Sequence, residues 1–249
     1  DFAIIFDQKK NKFLAIGLFD PASPIRIKIL AANKPAIINA EWFEAKIQSA
    51  FAKRKSLLET DTNSYRLIYG ENDGLPGFIA DVYDSVLVVK LYSPIWLPFL
   101  KEIFPILLKI SICKTLVLRL SRNLQKAPES LHGLSDGQVL FGKLENENII
   151  FKEHGLNFEA NVIHGHKTGY FLDHRHNRFK IRSLSKGKTV LDIFAYAGGF
   201  SINALAGGAT NVTSLDISRP ALELAKRNAS LNKLTANHSI LVGDAFAEM

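Results

Sequence analysis

A single stretch, Asp192-Ile193-Phe194-Ala195-Tyr196-Ala197-Gly198-Gly199-Phe200, holds the residues of this 249-residue chain best suited to grip a small charged molecule. Gly198 and Gly199 lack a Cβ and let a ligand approach the main chain. The N–H groups opening a following helix would face that ligand with the positive end of its dipole, a setting for a carboxylate or phosphate. Asp216 stands 18 residues after Gly198, at the end of a second apolar run, where a carboxylate can accept hydrogen bonds from both hydroxyls of a ribose. Asp244 ends a third run, level with an adenine amino group if the ribose sits on Asp216. Singly, each acid is as readily a helix cap or a turn residue. Together with the glycine turn they specify an adenosine ligand. The fingerprint G-x-G-x-x-G is absent, so a nicotinamide dinucleotide loses its main support.

Elements with a particular order must position these residues. Val190 to Phe194, Val212 to Leu215 and Ile240 to Val242 are short, nearly continuous apolar runs, as in strands covered on both faces. Between them lie helical patterns, Phe200 to Ala206 stopped by Gly207-Gly208, and Arg219 to Leu231 with Ser218 as cap and Pro220 in its first turn. The order βαβαβ predicts a parallel α/β sheet of Rossmann type with right-handed crossovers. Upstream, Phe43, Ile47, Ala50, Phe51, Arg54 and Leu58 follow helical spacing after Asn39 and predict one long amphipathic helix. Strands are expected at Tyr65 to Tyr69, Phe78 to Tyr83, Val86 to Leu91 and Thr115 to Leu120, with a helix from Ile95 to Lys109, an α+β unit. Phe2 to Phe6, Phe13 to Leu18 and the alternating Ile25 to Ile29 predict a small β unit at the start. The expected organisation is therefore multidomain: 1–33, 38–145 and 146–249.

Apolar residues make up 47% of the chain and charged residues 22%, the balance of a folded globular protein. The most hydrophobic stretch, Ile95 to Ile112, is cut by Pro98, Lys101, Glu102, Pro105 and Lys109, which excludes a membrane-spanning helix there. One cysteine and the lack of a secretory leader fit a reducing cytoplasm.

The segments Asp192 to Ser201, Asp216-Ile217-Ser218 and Gly243-Asp244-Ala245 resemble the S-adenosylmethionine site of class I methyltransferases. More narrowly, Lys167-Thr168-Gly169-Tyr170-Phe171-Leu172-Asp173-His174-Arg175 and Gly70-Glu71-Asn72-Asp73-Gly74-Leu75-Pro76-Gly77 are similar to signature segments of the bacterial 5-methylcytosine methyltransferases of large-subunit ribosomal RNA and their close relatives. The resemblance implies a PUA domain ending within 1–33, a small α+β domain and a Rossmann-like methyltransferase domain, cut short at both ends. It implies S-adenosylmethionine as cofactor and ribosomal RNA as partner, and leaves a homodimer open. Asp192 would meet the methionine amino group, Gly198 and Gly199 its backbone, Asp216 with Ile217 the ribose, and Asp244 with Ala245 the adenine. Tyr170, Phe171, Asp173, Arg175, Phe194 and Tyr196 would line the rest. His166 and His174 stand where the family commonly has Gln, and Ala195 and Ala197 where it has Cys and Thr.

Methylation at C5 of cytosine needs a thiolate to attack C6 and a base to remove the C5 proton. Cys113 precedes a strand and reads as a small buried residue, so no catalytic residue is assigned within the chain and the thiol is expected after Met249. Two further activities compete: methylation of another atom, such as a guanine nitrogen, and RNA binding without turnover. His164-x-His166 and His174-x-His176 lack a supporting acid or cysteine cluster, and no metal is expected. The net charge of +7 is concentrated between His166 and Lys188, where seven cations face one acid. Lys167, Arg178 and Arg182 are expected to meet RNA phosphates, although Arg178 and Arg182 also fit the spacing of a solvated helix face.

Overall fold

The computed structural model describes residues 1–248. Three antiparallel strands open the chain, β1 (Phe2–Asp7), β2 (Lys12–Phe19) and β3 (Ile27–Ala32), in the order β1-β2-β3. The third starts two residues later than the alternation suggests, because Pro24 and Ile25 lie in the preceding turn, and Ile25 is exposed.

Helix α1 (Ala40–Ala52) begins as expected, with the Trp42 N–H donating to Asn39 Oδ1 at 3.0 Å. The long helix predicted to Leu58 does not form. Arg54 donates through Nη1 to the Ala50 carbonyl and binds both oxygens of buried Asp73, and the chain restarts as the single turn α2 (Lys55–Leu58). An ion pair to a distant loop thus overrides the local period.

Next come β4 (Ser64–Tyr69), β5 (Phe78–Tyr83), β6 (Val86–Leu91), α3 (Leu100–Ser111), β7 (Thr115–Leu120), α4 (Arg122–Gln125) and β8 (Gln138–Phe141). The four strands foreseen here are present within a residue, whereas Pro94 and Pro98 hold residues 94–99 as a 3-10 turn, so the α-helix starts later than Ile95. The strands form one sheet, β4-β5-β6-β7-β8, antiparallel except for the β6/β7 pair that α3 connects. One face packs on α1 and α3 through Phe43, Ile47, Ile103 and Leu107.

A hairpin absent from the sequence reading, β9 (Asn148–Glu153) and β10 (Leu156–Asn161), turns at His154-Gly155, both with positive φ. Such a turn suits a two-residue hairpin loop. Its Phe151 and Phe158 join Tyr83, Val86 and Val88 on the other sheet face with Tyr170, Ile202 and Val212 in a second core. Beyond it run α5 (Arg175–Leu184), β11 (Thr189–Ile193), α6 (Gly199–Ala206), β12 (Asn211–Asp216), α7 (Arg219–Leu231), β13 (His238–Val242) and α8 (Ala245–Glu248). The last three strands form the expected parallel sheet in the order β11-β12-β13. No helix among the described residues is long and apolar enough to cross a membrane.

Candidate nucleoside site

The carboxyl ends of β11, β12 and β13 converge on the turn 194–198. Phe194, Tyr196 and Gly198 all take left-handed backbone, at φ of 60°, 49° and 71°. Two bulky residues in that region store strain that only a well-determined surround sustains. Here the surround is the end of β12, since the Ala195 N–H donates to the Leu215 carbonyl at 3.0 Å and the Tyr196 N–H to Asp216 Oδ2 at 2.9 Å. The other Asp216 oxygen accepts from the Ser218 N–H. Asp244 caps α8, its Oδ1 accepting from the Phe246 N–H at 2.8 Å. Both acids therefore build the turns that bring the strand ends together.

The two glycines have structural duties as well. A Cβ on Gly198 would stand 2.7 Å from that of Ala225, and one on Gly199 would collide with the Tyr170 hydroxyl oxygen. What approaches Gly199 most closely within the chain is Tyr170, and it does so at the mouth of a cavity of about 230 Å³. Tyr170, Phe171, His174, Phe194, Tyr196 and Phe200 supply most of its wall. Phe171 and Tyr196 meet edge to face at 5.2 Å. Along the strand ends, Phe194, Ile217 and Phe246 leave 68%, 73% and 82% of their surfaces exposed, an apolar rim suited to a planar base.

Asp192 faces the start of α6. Its Oδ2 accepts from the Ser201 N–H at 3.0 Å and from the Ser201 hydroxyl at 2.7 Å, and that hydroxyl lies 2.6 Å from Ser214 Oγ, which in turn meets His238 Nε2 at 2.8 Å. Burial pushes the Asp192 carboxyl above the ordinary aspartate value; the Ser201 donors oppose the rise and Asp216 adds to it. With Ser201 committed to Asp192, the N–H groups of Gly199 and Phe200 are the first-turn donors left over.

Several expectations need correction. Arg178 does not face solvent: only 3% of its side chain is exposed, and it donates to both oxygens of Glu153 at 2.7 Å and to the Phe171 carbonyl at 2.9 Å. Arg182 also turns inward, to Asn203 Oδ1 and the His154 carbonyl. The helical spacing of these two arginines marks the face of α5 that packs on α6 and the hairpin. Arg175 binds Glu153 and the Ser64 carbonyl away from the cavity, and exposed Asp173 pairs with Lys167 at 3.3 Å. Ala245 is buried behind the rim, where its neighbour Phe246 is the exposed residue. His174 and Phe246 lie outside the residues expected to line the site, and Phe200, within the expected stretch, has no role assigned there. Phe200 and Phe246 are each the second residue of the helix that follows a strand-end turn, the pattern that could have found them.

A parallel βαβαβ sheet with a strained glycine turn and acids at its strand ends defines a Rossmann-like nucleoside-binding unit. A model of the S-adenosylmethionine-dependent methyltransferase family matches residues 78–247, and the chain belongs to that family. It is similar to a ribosomal RNA large subunit methyltransferase of Deinococcus radiodurans, 43% identical over 99% of this chain and 61% of that protein. To ribosomal RNA large subunit methyltransferase I of Shigella flexneri it is 35% identical over 94% of this chain and 59% of that protein. The chain thus spans about three-fifths of the length of these curated relatives. A solved structure from Streptococcus mutans, described as a SAM-dependent methyltransferase, shares the fold at a TM-score of 0.85 with 24% identity, covering all of this chain and 63% of its own. A methyltransferase solved with SAH aligns at 0.86, also with 24% identity and the same coverage.

The residues present fit the family's cofactor. The Tyr170 hydroxyl is buried at the cavity with no hydrogen-bond partner among the described residues, which a polar ligand would remedy. Asp192 keeps one oxygen clear of Ser201, and the rim supplies apolar surface for a purine.

Proposed function

We propose that the protein is an S-adenosylmethionine-dependent RNA methyltransferase acting on large-subunit ribosomal RNA, at C5 of cytosine. The observation that carries the cofactor half is the convergence of Asp192, the 194–198 turn and Asp216 at three adjacent points of one parallel sheet. The names of the two relatives and the signature segments 70–77 and 167–175 support the RNA half.

When bound, S-adenosylmethionine supplies an electrophilic methyl group on sulfonium. Asp192 would hold the ammonium of the methionine moiety, the free amides of α6 its carboxylate, Asp216 the ribose hydroxyls, and Asp244 with the Phe246 rim the adenine. Tyr170, Phe171, Tyr196 and Phe200 line the cavity and would set aromatic faces against the bound sulfonium. Cys113 does not serve as the nucleophile: it lies in the core of the five-stranded sheet, and burial pushes its thiol up to about 11. The thiolate is proposed to come from sequence after Met249, a position outside the described residues. The N-terminal strands are proposed to belong to a PUA domain.

Incubating the protein extended through the sequence after Met249 with labelled S-adenosylmethionine and unmodified large-subunit RNA, followed by nucleoside mass spectrometry, tests this reading. Label in 5-methylcytidine is expected. Label in a methylated guanosine would overturn the choice of atom, and no transfer to RNA would overturn the function.

A further inference from the structure

The five-stranded sheet is closed on one face by α1 and α3, but on the other over only half its length. Near one end of the strands, Tyr83, Val86, Val88 and Val117 lie beneath the β9–β10 hairpin. Toward the opposite end the same face carries Arg66, Tyr69, Ile79 and Lys90, with a bulge between Arg66 and Ile68, and these residues line an open cleft. Register sets Tyr69 opposite Ile79 and Ile79 opposite Lys90, a row across three strands. Tyr92 is tied beside the row by its N–H to the Gly77 carbonyl at 3.0 Å. With Lys28 and Lys167 at the sides, these residues enclose a cleft of about 460 Å³.

Two tyrosines stand half exposed in it, at 50% and 52%, each with a cation at hand. Arg66 Cζ lies 5.3 Å from the Tyr69 ring centre and Lys90 Nζ 5.7 Å from that of Tyr92. Not every cation is free to meet a ligand. Arg66 is committed to buried Asp81 at 2.8 and 2.9 Å, and Lys28 to Asp20 at 3.3 Å, so these two shape the walls. Glu71 brings negative charge, but its Oε1 accepts from the Gly77 N–H at 3.1 Å and closes the Gly70 to Gly77 loop. Lys90 has no carboxylate within ion-pair distance among the described residues and donates to the Lys167 carbonyl at 3.1 Å. Lys167 pairs with Asp173 at 3.3 Å, both about half exposed, the kind of solvated pair that a phosphate readily displaces.

A floor of exposed aromatic rings on a sheet, with only two available cations, suits a strand whose bases are open to stacking better than a duplex, which presents backbone and demands a strong positive field. The cleft also leads somewhere. Lys167 Nζ sits 4.3 Å from the Phe171 ring centre, and Phe171 walls the cofactor cavity. We propose that this open sheet end is a single-stranded RNA site in which Tyr69 and Tyr92 stack on bases while Lys90 and Lys167 hold phosphates, feeding the strand toward the cavity. The choice of RNA as the nucleic acid rests on the reading under Proposed function.

Fluorescence anisotropy with a labelled single-stranded RNA of ten nucleotides, and with a duplex of the same sequence, tests the site. Y69A and Y92A should each weaken single-strand binding about 5- to 150-fold, Y69F and Y92F should retain it, and K90Q should flatten its salt dependence by a slope of about 0.7. SAH binding by calorimetry and the melting temperature should stay at wild-type values in all of them. A folded Y69A/Y92A double variant with wild-type affinity, or a wild-type protein that prefers the duplex or binds no single strand, overturns the site. If the wild-type protein, extended past Met249, binds single strands through the tyrosines yet methylates no RNA, the enzymatic reading fails and the cleft stands. If the double variant methylates ribosomal RNA with unchanged KM, the cleft fails and the enzymatic reading stands.

Discussion

Replacing Glu153 by glutamine should destabilise the protein more than any change at its surface. The carboxylate, 1% exposed, accepts from Arg175 Nε at 3.3 Å and from Arg178 Nε and Nη2 at 2.7 Å, and the two guanidinium side chains are 6% and 3% exposed. E153Q keeps the shape but leaves two buried cations facing a neutral amide. Breaking a buried pair from one side costs about 3–5 kcal/mol. For a chain of this size each kcal/mol lowers the melting temperature by about 2–4 °C, so a fall of about 6–20 °C is expected by calorimetry or circular dichroism. Ligand binding should weaken too, because Arg178 lies 4.9 Å from the Tyr170 ring centre and holds the Phe171 carbonyl. In R178M, E153Q should cost less than in the wild type, since one of the stranded cations is gone. A melting temperature within about 2 °C of wild type for E153Q alone would refute the reasoning.

Three further outcomes follow from the site. The raised Asp192 carboxyl must be ionised to hold an ammonium, so SAH affinity should fall as pH drops through that raised value, and binding just above the ordinary aspartate range should release a proton, read from calorimetry in buffers of different ionisation enthalpy; a pH-independent affinity would contradict it. The same shift has a stability sign: a raised aspartate favours the fold below its unfolded value and loses that contribution as pH rises through the folded one, so D192N should narrow the pH dependence of melting. C113A should leave methyl transfer unchanged, and Cys113 should resist thiol reagents at pH 8, as mass spectrometry of the labelled protein would show; inactivation by C113A without loss of fold would restore it as a candidate nucleophile.

The parts of the molecule readable from its residues are those governed by local rules. The Ser218 cap with Pro220 bounds α7 to the residue, and the apolar runs locate the three parallel strands and the central β5 and β6. Where long-range partners decide, local patterns mislead. Arg54 leaves its helix for Asp73, 19 positions away, and Arg178 and Arg182 look solvent-facing until Glu153 and Asn203 are brought to them by the fold. In the hairpin carrying Glu153, β10 alternates but β9 runs Ile149, Ile150 and Phe151 together, and the turn is His-Gly in place of Asn-Gly, so its buried acid does not announce itself. Of the candidate site, the strand-end acids and the glycine turn are legible from spacing, whereas the rim of Phe194, Ile217 and Phe246 becomes visible as a unit only when three strand ends stand side by side.

Isothermal titration of the protein and its Asp216→Asn variant with S-adenosylhomocysteine, with NADH as comparator, tests the nucleoside site most directly. Two charge-assisted ribose hydrogen bonds are worth on the order of 1.5 kcal/mol or more each, and asparagine keeps one acceptor, so the variant should bind SAH at least about 10-fold more weakly. Its melting temperature should fall modestly, because one of the Tyr196 and Ser218 N–H groups loses its acceptor, and NADH should give no heat with either protein. Tight NADH binding with no response to SAH, or equal SAH affinity in wild type and variant, would contradict the assignment of the strand ends to an S-adenosylmethionine cofactor.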